Sequence, residues 1–439
     1  MMVMKRILSA LFLLMTPLAV HAQTQAQTQA QTQAVAPAEA ACPASVARTA
    51  KCYAAQDSNG AFLWFAIPAN WNKTLIVHAH GGPSLNAPKV EEAVEDMERF
   101  NVLINQGYAW AGSTYRRGGY GVRMAAADVD NSRQAFWRAF GKPSRTILHG
   151  QSYGGNVAAK TAELYALAVD GTPNYDGVML TNGLLYGGTR GYVFRADLRA
   201  VYQYYCQNHP SKDEAAYPVW QGLPKDSKLT QADLKTRIDA CTGVSLKASE
   251  RTAPQSYRLK NILAVTGIKE KQLVAHMNWA TFTFRDLISR VGGNPFDNSG
   301  TVYKGSGDDK ALNAGVERFT ADPQVVARLA YDADLSGLIV LPTVTVHALH
   351  DPTVSFAAEG VYAETVSKAG RAALLVQTAT DEDSHSKLAE TEYVALLGSL
   401  MDWVEKGEKP SPQGIGERCK RLVKSVPGGC HFVPTPVAR

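Results

Sequence analysis

No Cys-x-x-Cys occurs in this sequence, so a redox dithiol motif or a zinc ribbon has nothing to stand on. There is also no glycine-rich phosphate loop and no dinucleotide fingerprint, and no cofactor is expected. Basic residues are scattered rather than striped. A formal net charge of +5 over 439 residues argues against a nucleic-acid partner. His78-x-His80 and His347-x-x-His350-Asp351 invite a metal reading. A catalytic zinc needs three convergent ligands, however, and alternate positions on a strand already account for the first pair, so no metal is expected. The apolar run Ile7 to Val20 is too short for a comfortable membrane span.

That run does suit a targeting segment. Lys5-Arg6 supply the positive start and Val20-His21-Ala22 the small-residue cleavage pattern, so residues 1–22 are expected to be a signal peptide, with no membrane attachment once it is removed. Residues 23–41 begin with a Gln-Thr-Gln-Ala repeat that has no apolar pattern and are expected to be a disordered linker. Export, to the periplasm or beyond, makes the six cysteines informative. Closing short loops costs least entropy, which favours Cys42 with Cys52, Cys206 with Cys241 and Cys419 with Cys430 as disulfides.

Short apolar runs then alternate with helical stretches, the pattern of a mostly parallel sheet with helices on both faces. Strands are predicted at 62–68, 73–80, 108–115, 145–149, 177–182, 338–347 and 372–378. Helices are predicted at 90–106, 122–140, 156–164, 357–368 and 391–406, with a basic tail after them. From Thr189 to Ala333 the strand rhythm disappears, and helical patterns such as 231–241 and 272–290 take over. The expected organisation is an α/β core in two halves, 42–188 and 334–439, separated by a helical cap insertion, 189–333. Tyr204, Trp220, Trp279 and Phe282 are candidates to line a pocket beneath that cap, and Arg116, beside a glycine-rich turn, is a candidate to hold a substrate carboxylate.

The stretch around which the chain is organised is Gly150-Gln151-Ser152-Tyr153-Gly154-Gly155. An apolar strand end runs into Gly-x-Ser-x-Gly and a helix-forming segment follows, which is the context of a nucleophile elbow. Ser152 needs an imidazole to take its proton and a carboxylate to orient that imidazole. Asp351 and His385 follow it in the chain order this architecture uses, each at the end of a strand. His149 stands too close to the elbow to face the serine, and His347 and His350 lie on the segment that should provide the acid. Asp381 and Asp383 share the loop of His385 and are poorly placed to brace it. Tyr153 N–H and an N–H at Gly81 or Gly82 are the candidate oxyanion donors.

His80-Gly81-Gly82-Pro83, the Ser152 motif, His350-Asp351-Pro352 and Ser384-His385 together resemble the α/β-hydrolase superfamily, and the first two resemble its capped proline iminopeptidase and tripeptidyl aminopeptidase branch. The resemblance covers roughly residues 63–403 and implies an α/β-hydrolase fold and an acyl-serine intermediate. Ser84 stands where the branch usually has another glycine. Glu250 and Asp286 are possible counterparts of the cap carboxylates that hold a peptide's α-amino group. The expected activity is hydrolysis of carboxylic esters of small or medium size. An exported aminopeptidase acting on short peptides and a catalytically silent binding protein are the alternatives. Oligomeric state is not readable from the sequence.

Overall fold

The computed structural model describes residues 36–434. Its centre is a ten-stranded sheet formed by β1 (Ala38–Ala40), β2 (Ala50–Gln56), β3 (Phe62–Pro68), β4 (Thr74–Ala79), β5 (Ala109–Ser113), β6 (Arg145–Gln151), β7 (Gly177–Thr181), β8 (Thr343–Ala348), β9 (Leu375–Thr380) and β10 (Phe432–Val433). The spatial order is β1-β2-β3-β5-β4-β6-β7-β8-β9-β10. From β5 to β9 neighbouring strands are parallel, while β1 to β3 and β10 add antiparallel edges. This is the α/β-hydrolase arrangement, and its strands read as unbroken apolar runs because helices cover both faces. Every residue of β4, Thr-Leu-Ile-Val-His-Ala, is buried.

On one face lie α3 (Val122–Phe140) and α4 (Tyr153–Tyr165); on the other lie α1 (Val90–Arg99), α2 (Asn101–Asn105) and the Glu390–Lys406 helix. Val122, Ala125, Ala126, Val129 and Phe136 recur at helical spacing in α3, and all are fully buried. Burying a side chain such as Val129 or Phe136 stabilises the fold by about 1.5–3 kcal/mol. The chain visits β4, then β5 on one side, then β6 on the other. The direction of progress therefore reverses at β4, and a crevice opens at the carboxyl ends of β4 and β6, where ligands bind in open α/β sheets.

Between β7 and β8 the chain forms no strand. It forms instead a series of helices that includes Val193–Cys206, Gln231–Thr242, Ala253–Thr266, Leu273–Asn278, Phe284–Val291 and Pro323–Ala333, with a π-helical turn at Trp279–Thr283. Their buried apolar residues are continuous with those beneath α3 and α4. All three short-range cysteine pairs are bonded, Cys42–Cys52, Cys206–Cys241 and Cys419–Cys430.

Several expectations need correction. Ala38–Ala40 is a strand paired with β2 rather than linker, because its backbone completes the ladder of an otherwise open edge. The expected signal peptide and most of the linker lie outside the described residues. The expected helix 90–106 breaks at Phe100, and 272–290 is interrupted by the π turn. Leu338 to Pro342 is not part of β8. Leu338 and Val340 point outward, and a proline cannot donate to a ladder. The basic tail folds back as a helix, Pro412–Leu422, followed by β10 on the sheet edge. Among the described residues no helix is long and apolar enough to cross a membrane.

Candidate active site

At the end of β6 the backbone turns sharply into α4, and Ser152 takes φ 60° and ψ −128°, a region that side chains rarely occupy. The turn survives only because its neighbours lack side chains. A Cβ on Gly150 would lie 2.1 Å from the Gly154 carbonyl oxygen, one on Gly154 would lie 2.1 Å from the Ala79 carbonyl oxygen, and one on Gly155 would lie 2.6 Å from Gly183 Cα. Strand and helix are thus packed backbone to backbone, and the serine side chain stays partly accessible while Gln151 and Tyr153 on either side are buried.

Two distant loops meet it. Ser152 Oγ donates to His385 Nε2 at 2.7 Å, and His385 Nδ1 donates to Asp351 Oδ2 at 2.7 Å. The Asp351 side chain is wholly buried, and its other oxygen accepts the Thr353 and Val354 N–H groups at 2.8 and 3.0 Å, so the carboxylate is fully engaged. His347, in the strand beneath, lies 3.6 Å from the same Oδ2 and 3.5 Å from Glu359. Burial opposes charging His347, but Glu359 and Asp351 outweigh it and raise its pKa.

Candidate oxyanion donors follow the ends of β4 and β6. Tyr153 opens α4, so its N–H is not used by the helix, and it has no acceptor among the described residues; nor have the Gly81 and Gly82 N–H groups. A Cβ placed on Gly81 would lie 3.9 Å from Ser152 Cβ, which puts this glycine beside the serine. Tyr115 Oη donates to the His80 carbonyl at 2.7 Å, and His80 Nδ1 meets the buried Asp96 at 2.5 Å. Despite burial, Asp96 raises the pKa of His80; the two histidines, His80 first, hold the Asp96 carboxyl well below its ordinary range. His78-x-His80 is therefore a pair of partners for one carboxylate, His78 Nε2 lying 3.3 Å from Asp96.

The rival groups are elsewhere. His149 is buried with its Nδ1 3.0 Å from that of His78. His350 and Asp381 form an exposed pair, and Asp383 faces Lys271. Glu382, Glu392 and His431 offer the one cluster of potential metal-ligating atoms among the described residues, within 4.8 Å of one another. Glu392 in that cluster already accepts the Ala389 and His431 N–H groups.

Among the expected substrate-binding residues, Arg116 is not free. Its Nε and its backbone N–H donate to Asp128 at 2.8 and 2.7 Å, so it is a bidentate structural partner of α3. Tyr204 stacks edge-on against Tyr205 and presses on Gly315, and Trp220 is half-buried against the apolar core. Phe282 lines a cleft with Leu85, Leu223 and Ile288. Trp279 lies beside Arg195, 5.3 Å from ring centroid to guanidinium, and Arg195 donates to the Thr353 carbonyl in the loop of Asp351. Glu250 closes a local turn at Lys247, and Asp286 is taken by Arg290 and the Tyr120 N–H.

Sequence reasoning missed the groups that hold the histidine loop. Gln151 Nε2 donates to the His385 carbonyl at 2.8 Å, and Asn182 Nδ2 donates to the same carbonyl at 2.6 Å. Asn182 also accepts the Ala348 N–H at 2.8 Å, tying the ends of β7 and β8 to that loop. The available signal was a polar residue at the carboxyl end of each of two buried strands.

No family model matches the chain, and no curated protein does. Among solved structures it is similar to Candida antarctica lipase A, with 14% identity, a TM-score of 0.46 and coverage of 90% of this chain and 91% of that one. It is also similar to a ligand-bound form of the rice cell wall degrading esterase LipA from Xanthomonas oryzae, with 14% identity, a TM-score of 0.38 and coverage of 81% and 89%. A third is feruloyl esterase B from Aspergillus oryzae, with 12% identity, a TM-score of 0.37 and 82% of each chain covered. At such identities and TM-scores these likenesses say nothing of the chemistry, which rests on the site's own atoms.

Proposed function

We propose that this protein is an exported serine hydrolase that cleaves carboxylic esters through an acyl-Ser152 intermediate. The observation that carries the reading is the unbroken hydrogen-bonded path from Ser152 Oγ through His385 to Asp351. In the acylation step Ser152 Oγ attacks the ester carbonyl as His385 Nε2 takes its proton, while buried Asp351 keeps Nδ1 protonated and stabilises the imidazolium. The negative oxygen is received by the Tyr153 N–H and that of Gly81 or Gly82. His385 returns the proton to the departing alcohol, and water then repeats the sequence to release the acid. The helices between β7 and β8 act as a cap. Three disulfides suit an oxidising compartment, in keeping with export.

A peptidase of the aminopeptidase kind needs acids to hold an α-ammonium group. Asp286 and Glu250 are engaged elsewhere, and the charge beside the loop of Asp351 is the cation Arg195, which would repel an ammonium. A fluorophosphonate probe should label the intact protein, and Ser152→Ala should abolish labelling together with turnover of p-nitrophenyl esters. A protein that resists the probe would be a silent binding scaffold. Efficient cleavage of aminoacyl- or prolyl-anilides with negligible ester turnover would replace the esterase reading by the peptidase one.

A further inference from the structure

A guanidinium taken out of water carries a penalty of several kcal/mol unless an anion accompanies it. Buried Arg133 follows this rule on Asp130 and half-buried Arg116 on Asp128. Two buried arginines do not: Arg199, which donates to the His209 carbonyl inside the insertion, and Arg195, which lies beside the loop of the acid. Arg195 is 2% exposed, and among the described residues no carboxylate lies within ion-pairing distance. Its one hydrogen bond, a long one of 3.4 Å, goes to the Thr353 carbonyl, and its Nε is buried without an acceptor. Aromatic rings enclose the rest, with Phe194 at 4.5 Å, Trp279 at 5.3 Å and Tyr192 at 5.4 Å from the guanidinium carbon. Burial pulls its pKa down to about 10, so it remains a cation at neutral pH.

The position of this charge matters. Thr353 donates its N–H to Asp351, and His276 Nε2 donates to the carbonyl of Pro352 in the same loop at 3.0 Å. His276 is itself buried, its Nδ1 has no partner, and it lies in the field of Arg195, Asp351 and His385. Burial, and then Arg195, hold its pKa down to about 4, so it is neutral at working pH. Two buried polar side chains, each with one nitrogen left without a partner, therefore stand together between the cap helices and the loop of the acid. The helix that carries His276 runs directly into the π turn that starts at Trp279, a rare form that is frequent at functional sites.

Resting on the serine-hydrolase reading, we propose that Arg195 is a specificity-determining residue that binds a carboxylate carried by the substrate. The preferred substrates are then acid esters, either monoesters of dicarboxylic acids or acylated hydroxy acids, rather than neutral esters. A planar guanidinium matches a carboxylate, and the surrounding rings exclude water and so strengthen the pairing. A structural clamp on Thr353 needs only one neutral donor, whereas Arg195 also holds a buried Nε without an acceptor beside the loop of the acid.

Two probe pairs test this on the intact protein: p-nitrophenyl hemiglutarate against p-nitrophenyl hexanoate for an acid on the acyl side, and para-acetoxybenzoate against its methyl ester for one on the alcohol side. In one pair or the other the charged probe should be preferred. Arg195→Gln should lower that preference by roughly tenfold to a hundredfold, mainly through KM, with Arg195→Lys falling between. Equal slowing of charged and neutral esters, with the ratio unchanged, would overturn the proposal and leave Arg195 a clamp. Should Arg195→Gln fail to fold, wild-type protein decides. Benzoate should protect Ser152 from the fluorophosphonate probe at concentrations where benzamide does not, and equal protection by the two would refute carboxylate binding. Absence of any labelling is a different result, because it removes the hydrolase reading itself.

Discussion

Replacing Asp96 by asparagine keeps the shape of the side chain and removes its charge from beneath the loop that leads to Gly81 and Gly82. The carboxylate is 3% exposed, lies 2.5 Å from His80 Nδ1 and 3.3 Å from His78 Nε2, and among the described residues no other carboxylate lies within ion-pairing distance of His80. Opposite unit charges about 4 Å apart attract by ~4 kcal/mol at an effective dielectric near 20. Desolvation offsets much of that in the intact pair, but removing one partner strands the other, which costs about 3 kcal/mol. The pH dependence follows from the two shifts. The pKa of His80 is raised above 6.5, so its share of stability is complete below about pH 6.5 and fades as pH climbs through the folded value. The pKa of Asp96 is lowered below 3.8, so its share is present above that pH and lost only in strong acid. Urea unfolding of Asp96→Asn should therefore show a loss of about 3 kcal/mol near pH 6 and roughly half of that near pH 9, where only hydrogen bonds remain to be lost. Ester turnover should fall by about tenfold at either pH as the oxyanion loop loosens. The same stability loss at both pH values would mean that His80 does not titrate between them in the folded protein, and the account of the pH dependence would fail.

Asn182→Ala removes donors to the His385 loop and the acceptor for Ala348 N–H, and kcat should fall by roughly tenfold to a hundredfold with KM little changed, measured with a p-nitrophenyl ester. Gly154→Ala would place a methyl group against the Ala79 carbonyl oxygen, so soluble yield and melting temperature should drop together, followed by circular dichroism. Replacing Cys206 and Cys241 by serine opens a loop spanning a sequence separation of 35; chain-entropy arithmetic puts the loss at about 4 kcal/mol, read as a lower urea midpoint for the insertion helices.

Local pattern alone located most of the core. The alternation of apolar runs and helical periods specified β3 and α3 to the residue, because both bury a whole face and their periods differ. The elbow was equally legible, since a strand, two obligate glycines and a helix leave one geometry for the residue between them. Where a segment's fate depended on a distant partner, pattern failed. Leu338 and Val340 are apolar yet exposed, and Ala38–Ala40 is a strand only because β2 offers it an edge.

The same division runs through the candidate site. Chain order and strand ends were enough to name Ser152, Asp351 and His385 as the groups that should meet, since a parallel sheet collects the carboxyl ends of its strands along one edge. No spacing could reveal that Arg116 would be claimed by Asp128, that Asn182 and Gln151 would fasten the histidine loop, or that Arg195 would be buried without a counter-ion. Those outcomes depend on which charges and carbonyls come within three or four ångströms of one another. Only the tertiary packing of helices and loops onto the sheet decides that, and residues far apart in sequence carry no record of it.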